Sequence, residues 1–275
     1  MSDKGLNETK TGKLERADVI STLYWKVGYA QDIGSRSEQQ DSVGAVLGTF
    51  HDKPALLAVL ADGMGGMKNG AEFSRITVDF HLENFQRLLN STDRLPFVLL
   101  ALARQANEEA HKIYDENKPG GTTLVTALFT DDRFYTLSVG DSRICLYRRN
   151  VKLNCYVPLQ INREHVLGQA LDESAWMGRI SFDDAENNLL RDSLTSAIGD
   201  SRIRRIDLTE NSTRFIGGDK LALMSDGIYR SLPDMETAAF MEDSPTKAAD
   251  KIIGHICDKK LPHQDNMSII IIERV

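Results

Sequence analysis

The sequence predicts an α+β fold in which antiparallel sheets carry helices on their outer faces. Three observations lead there. Strand signals cluster at both ends and in the middle of the chain, hairpin-type turns punctuate the central ones, and two helical patterns follow each other with no strand between. The last feature excludes regular strand–helix alternation.

Taken in order, Trp25–Ala30 alternates as a half-buried strand, and a polar stretch from Gly34 to Gln40 leads to a second strand, Asp41–Val46. Pro54–Ala61 is an uninterrupted apolar run of strand length, halted by Asp62-Gly63-Met64-Gly65-Gly66. Helical spacing follows at Phe73, Ile76 and Phe80, then at Leu95, Leu99, Leu102, Ala106 and Ile113, until Lys118-Pro119-Gly120-Gly121 breaks the second helix. A β-rich block covers Thr122–Arg149, with turns at Asp131-Asp132 and Gly140-Asp141. Asn162–Asn188 is polar and helical in pattern, and Ser181 with Asp184 forms a start like a capping box. The strand at Lys220–Met224 stops at Ser225-Asp226-Gly227, a helix covers Pro245–Cys257, and Asp265-Asn266 introduces a last strand, Met267–Glu273. No linker or repeat interrupts this series. The organisation read from it is a mobile polar tail over residues 1–22 and one domain over 23–275.

Composition narrows the function class. The 275 residues are 41% apolar, with a formal charge of -7, which leaves no footprint for nucleic acid or a membrane surface. No run approaches the ~18 apolar residues of a membrane span, and the start lacks an apolar signal region. A cytoplasmic protein is expected. Cys145, Cys155 and Cys257 are an odd set without metal spacing, so neither a disulfide framework nor zinc is expected. The histidines at 51, 81, 111, 255 and 263 are equally scattered.

The chemistry-bearing pattern is acidic residues at strand ends. Asp62 and Asp226 each end an apolar strand beside glycine, while Asp41 and Asp265 immediately precede strands. Carboxylates held by rigid strands and converging would form a hard-oxygen cage for Mg²⁺ or Mn²⁺. Each signal alone also reads as an ordinary turn, since Asp-Gly is a common turn dipeptide.

The order of the flanking motifs resembles the metal-dependent protein phosphatases of the PPM family, also called type 2C. Gly34-Ser35-Arg36 with Gln39-Gln40-Asp41-Ser42 looks like the opening motif, and Asp62-Gly63-Met64-Gly65-Gly66 like the signature loop in its bacterial form. Gly120-Gly121-Thr122-Thr123, Gly140-Asp141-Ser142-Arg143, Ser225-Asp226-Gly227 and Asp265-Asn266-Met267-Ser268 complete the series over nearly the whole chain after the tail. The resemblance implies a central antiparallel β-sandwich flanked by pairs of helices, with two divalent ions, Mn²⁺ or Mg²⁺, at one end. It implies that Asp62 bridges both ions, the Gly63 carbonyl binds the second, Asp226 and Asp265 hold the first, Asp41 acts mainly through bound water, and Arg36 grips the substrate phosphate. Hydrolysis of phosphoserine or phosphothreonine by direct attack of a metal-bridging water or hydroxide would follow, opposing a Ser/Thr kinase. The chemistry is coherent: a phosphate dianion repels an anionic nucleophile, paired ions lower the pKa of a shared water, and a guanidinium offers parallel donors to two phosphate oxygens.

Three positions depart from the pattern. Met64 replaces a histidine found in many eukaryotic members, and a thioether donates no proton. Gln40 stands at a common glutamate position, which removes a negative charge near the second ion. Arg230 stands where many members carry an aspartate sharing a third ion with Asp141, so Asp141 is expected to be a weak third site, with Arg230 ion-paired to it or solvated. The resemblance also makes Asn162–Asn188 a flap beside the site, whose His165 is not expected to bind metal. Two other functions compete. A pseudophosphatase would bind phosphoproteins without turnover, but the metal-binding aspartates are intact; a phosphatase of a partner-switching sigma-factor pathway usually carries an attached sensor domain.

Overall fold

The computed structural model describes residues 20–64, 69–115 and 120–275. The expected tail up to residue 19, loop glycines Gly65 and Gly66, and the break at Lys118-Pro119 lie outside the described residues. The strands are β1 (Ile20–Ser21), β2 (Trp25–Asp32), β3 (Asp41–Phe50), β4 (Lys53–Asp62), β5 (Leu124–Thr130), β6 (Arg133–Val139), β7 (Arg143–Asn150), β8 (Cys155–Gln160), β9 (Asp207–Leu208), β10 (Thr213–Arg214), β11 (Lys220–Met224) and β12 (Met267–Arg274). The helices are α1 (Gly70–Leu89), α2 (Leu95–His111), α3 (Leu167–Trp176), α4 (Phe182–Glu186), α5 (Asp226–Tyr229), α6 (Asp234–Thr237) and α7 (Pro245–Asp258), with a 3₁₀ turn at Ala238–Glu242.

The strands form two antiparallel sheets. The first runs β1-β2-β12-β11-β7-β8 and the second β10-β6-β5-β4-β3, with β9 beside β6. Strand β4 explains how they stack. Its side chains alternate between faces, so Ala55, Leu57, Val59 and Ala61 pack under α1 and α2 with Phe73, Phe85, Leu99 and Leu102. Leu56, Ala58 and Leu60 point the other way, into a core between the sheets with Trp25, Phe129 and Ile270. An antiparallel strand covered on both faces reads as a continuous apolar run. Strand β12 repeats the pattern: Ile270 and Ile272 face the inter-sheet core, while Ile269 and Ile271 meet Ile252 and Ile256 of α7. Each fully buried aliphatic side chain contributes about 1.5–3 kcal/mol, and the result is the expected four-layer order of helices, sheet, sheet, helices. At Gly28 of β2 an added Cβ would stand 2.1 Å from the Thr246 nitrogen, so only glycine lets the first turn of α7 lie this close.

Several local expectations are corrected. Ile20 and Ser21 pair with Val27 and Lys26, so the ordered ladder reaches into the stretch read as tail. Ile113 lies past the end of α2. Strand β8 was not foreseen, because Pro158 discourages a strand reading; as an edge strand on β7 it tolerates the missing donor. The start like a capping box forms its N-cap half, with the Asp184 N–H donating to Ser181 Oγ at 3.0 Å. Cys145, Cys155 and Cys257 are free thiols. No helix among the described residues is long and apolar enough to cross a membrane.

Candidate metal centre

Both sheets deliver aspartates to one end of the sandwich. In the second sheet Asp41 opens β3, Asp62 closes β4, and the two are direct partners across the ladder. In the first, Asp226 follows β11 at the start of α5, and Asp265 lies just before β12, the strand paired with β11. Asp141 sits in the crossover from β6 to β7. Asp41 is buried, and neither of its carboxylate oxygens makes a hydrogen bond; Ser225, Ser268 and Asp62 are the polar groups facing it. A buried acceptor left without a donor is costly, and like charges directly opposite in a ladder repel.

The small-residue motifs act as props for this arrangement. The Asp62 carbonyl accepts from the Thr123 N–H at 2.8 Å and from the Thr122 hydroxyl at 2.8 Å. The Asp62 N–H donates to Thr123 Oγ1 at 3.0 Å, and that hydroxyl meets the Ser142 hydroxyl at 2.7 Å. Gly63 donates to the Gln40 carbonyl at 3.1 Å, and a Cβ there would stand 2.5 Å from the Gly70 oxygen. Glycine is thus required where the chain passes between β3 and α1. His165 holds the Gly140-Asp141 turn: its Nδ1 accepts from the Gly140 N–H at 3.1 Å. Burial lowers its pKa, in keeping with a neutral structural ring.

The electrostatics record an excess of negative charge. Burial pushes Asp41 up to about 6 and lifts Asp62 well above the usual carboxylate range, with the Asp41 charge adding to the Asp62 shift. Burial raises Asp141 to about 7, helped by Asp226 and opposed by Arg230. Asp226 is also raised, first by burial, and Arg230 counteracts. The Arg230 guanidinium lies 3.1 Å from Asp226, 3.5 Å from Asp141 and 3.2 Å from Asp192. Of the two alternatives read from sequence, solvated or ion-paired, the pairing is the one formed. Arg36 lies 2.7 Å from Asp265.

Among the described residues, no group of three or more His, Cys, Asp or Glu side chains is set around a common metal position. The backbone gathers the expected ligands, but arginines hold Asp226, Asp141 and Asp265, so the side chains do not close into a cage by themselves. The donor set nevertheless fits divalent ions: hard carboxylate and carbonyl oxygens, a buried Asp41 carboxylate with no hydrogen bond formed to it, and unbalanced charge. Sequence reasoning missed Asp192 as the third partner of Arg230, and no local signal marks it. It gave no role to Asn266, a member of the last motif, whose amide donates to the Ile33 and Glu38 carbonyls at 2.9 and 3.1 Å and accepts from the Gln40 N–H at 2.8 Å. That residue fastens the loop bearing Arg36 to the turn bearing Asp265.

Comparison with known proteins gives a consistent result. The family model described as Protein phosphatase 2C matches residues 30–261. A serine/threonine phosphatase, Stp, from Listeria monocytogenes is 24% identical over 252 residues, 90% of this chain and 94% of that protein. Among solved structures, the Streptococcus agalactiae serine/threonine phosphatase superposes with a TM-score of 0.72 at 23% identity, covering 91% of this chain and 99% of that one. The catalytic domain of the serine/threonine phosphatase PstP, solved in complex with two manganese ions, gives 0.70 at 24% identity, covering 92% and 99%.

Proposed function

Because the chain belongs to the protein phosphatase 2C family and is a protein serine/threonine phosphatase, we propose that residues 20–275 form one catalytic domain that hydrolyses phosphoserine and phosphothreonine in proteins at a two-ion centre. The observation that carries this reading is the Asp41–Asp62 pair, a buried carboxylate with no hydrogen bond formed to either oxygen, facing a second one across the ladder. In the proposed centre Asp62, the Gly63 carbonyl, Asp226 and Asp265 would hold the divalent ions, Mn²⁺ or Mg²⁺, and Asp41 would orient water. Bound there, such ions supply Lewis-acid polarisation of phosphoryl oxygens and a nucleophilic water at neutral pH.

The protein's own contribution is positioning and charge. Arg36, exposed and using one nitrogen on Asp265, keeps further N–H groups for two phosphate oxygens. Asp41 and Asp62, held on adjacent strands, cannot both ionise comfortably until the site gains positive charge. Met64 has no proton to give, so it does not protonate the leaving group, and a metal-bound water or no dedicated acid serves there. Asp141 is a weak third site, because Arg230 already offsets its charge. In the cell the enzyme would oppose a Ser/Thr kinase in the cytoplasm.

Phosphate release from a phosphothreonine peptide tests the proposal. Turnover is expected with Mn²⁺ or Mg²⁺ and none with excess chelator; chelator-resistant turnover would overturn the two-ion centre. A second reading, a phosphoprotein-binding module without turnover, is favoured by the arginines already on Asp226, Asp141 and Asp265. Absence of release under every metal condition, with phosphopeptide still bound, would select it.

A further inference from the structure

Arg230 follows Asp226 by one helical turn, and its fork reaches three carboxylates at once. Two of these, Asp226 and Asp141, belong to the proposed centre. The third, Asp192, lies outside it, at the base of the segment carrying α3 and α4. There the Gly168 N–H donates to the Arg191 carbonyl at 2.7 Å, and the Leu167 N–H donates to the Ser193 carbonyl at 2.9 Å. Asp192 therefore sits between the two rungs that close the segment on itself. The other base of the segment is held by a second guanidinium: Arg143 lies 2.6 Å from Glu164 and 3.1 Å from Asp234. It also stacks 3.9 Å from the ring centre of Tyr229, the residue beside Arg230. Both ends of residues 164–192 are thus tied to arginines that converge at Tyr229-Arg230.

We propose that Arg230 is a positioning residue, a resident guanidinium that takes the charge-balancing place of a third divalent ion beside Asp141 and fastens the flap to the carboxylate centre through Asp192. The proposal rests on the two-ion reading above. An exchangeable ion at that place would leave Asp192 unlinked to Asp226, whereas a guanidinium covalently fixed to α5 holds both together. A lysine could not, since one ammonium lacks the planar fork that spans separate carboxylates. The side chain is 43% exposed, and ion pairs in that setting contribute modestly. Its effect therefore falls on local order of the flap rather than on global stability.

The test combines amide hydrogen exchange with Mn²⁺ counting on the full chain. In Arg230→Ala and in Asp192→Asn, the Leu167 and Gly168 amides should exchange about 2- to 5-fold faster, the range of one or two half-exposed pairs. Arg230→Lys should not restore protection, and Arg230→Ala with Asp192→Asn should exceed neither single variant. The unmodified chain and Asp192→Asn should each bind two Mn²⁺, while Arg230→Asp gains a weaker third. Unchanged exchange in Arg230→Ala and Asp192→Asn, or a third Mn²⁺ bound as tightly as the first two in the unmodified chain, would overturn the proposal. Full Mn²⁺ binding by Asp226→Asn would instead overturn the two-ion reading beneath it, so the two failures are distinguishable.

Discussion

Past β11 and before β12, Asp226 and Asp265 each carry an arginine, at 3.1 and 2.7 Å; at the ends of β3 and β4, Asp41 faces Asp62 and no ion pair reaches either among the described residues. The same end of the sandwich thus holds two aspartate pairs in opposite electrostatic states. On the first sheet the aspartates are partly exposed and follow or precede loops, where long side chains can reach them. On the second sheet both aspartates lie in strands, one of them buried beneath the sandwich edge. No flexible arginine can be threaded to that depth without losing its own hydration. On the proposed two-ion reading, the second sheet is the half that needs an added cation. The first sheet can balance its charge from the chain, and the second cannot.

The largest expected effect comes from neutralising the unpaired side. Asp62→Asn should lower phosphopeptide turnover at least ~1,000-fold, given several kcal/mol of transition-state stabilisation per metal centre and about 1.4 kcal/mol per tenfold. The variant should still fold, because removing one of two opposed charges relieves repulsion. Near-normal turnover at saturating Mn²⁺ would erase the contrast between the sheets. On the paired side, Arg36→Ala should reduce kcat/KM by about 10- to 100-fold, the worth of hydrogen bonds to a charged group, with Mn²⁺ affinity little changed. Calorimetry showing collapsed metal binding in that variant would move Arg36 from substrate to metal support.

Metal removal gives a third prediction, with a definite sign. Burial raises Asp41 to about 6 and Asp141 to about 7 in the folded chain, against ~4 when unfolded. The folded state therefore holds more protons between those values, and stability falls as pH rises from about 4 to about 7. For chelated protein the loss should be on the order of one to a few kcal/mol, about 2–4 °C of Tm for each. Saturating Mn²⁺ should flatten the slope; a chelated protein whose Tm rises across this window would contradict the burial argument. The smallest effect is expected at Gln40, whose side chain lies 3.5 Å from Glu38. Gln40→Glu adds charge near the unpaired side and should tighten Mn²⁺ about 2- to 5-fold, less at high salt. An unchanged titration would mean that position 40 is too solvated to matter.

The layers and most of the gathered aspartates were legible because they rest on local patterns. The Pro54–Ala61 run and the helical stripe of α2 follow from burial on two faces and on one. Asp62 and Asp226 stood out as strand ends beside glycine, and motif order did the rest. What escaped depends on long-range placement. Two-residue β9 and β10 are too short for any period, and Pro158 hid β8 at an edge. The state of Asp41 follows from its register opposite Asp62, which periodicity does not report. Asp192 meets Arg230 only after the flap folds back, and Thr123 and Ser142 share a hydrogen bond across separate motifs. Sequence offered Thr123 and Ser142 as members of patterns with their partners unstated, and it did not mark Asp192 at all.

Calorimetric titration of Mn²⁺ into metal-stripped unmodified protein and into Asp62→Asn, both near neutral pH, tests the central claim most directly. The unmodified chain should take up two ions per molecule, and Asp62→Asn should lose tight binding of both, since the unpaired carboxylates of the second sheet are what demand the added charge. Two ions bound equally tightly by Asp62→Asn would contradict the account.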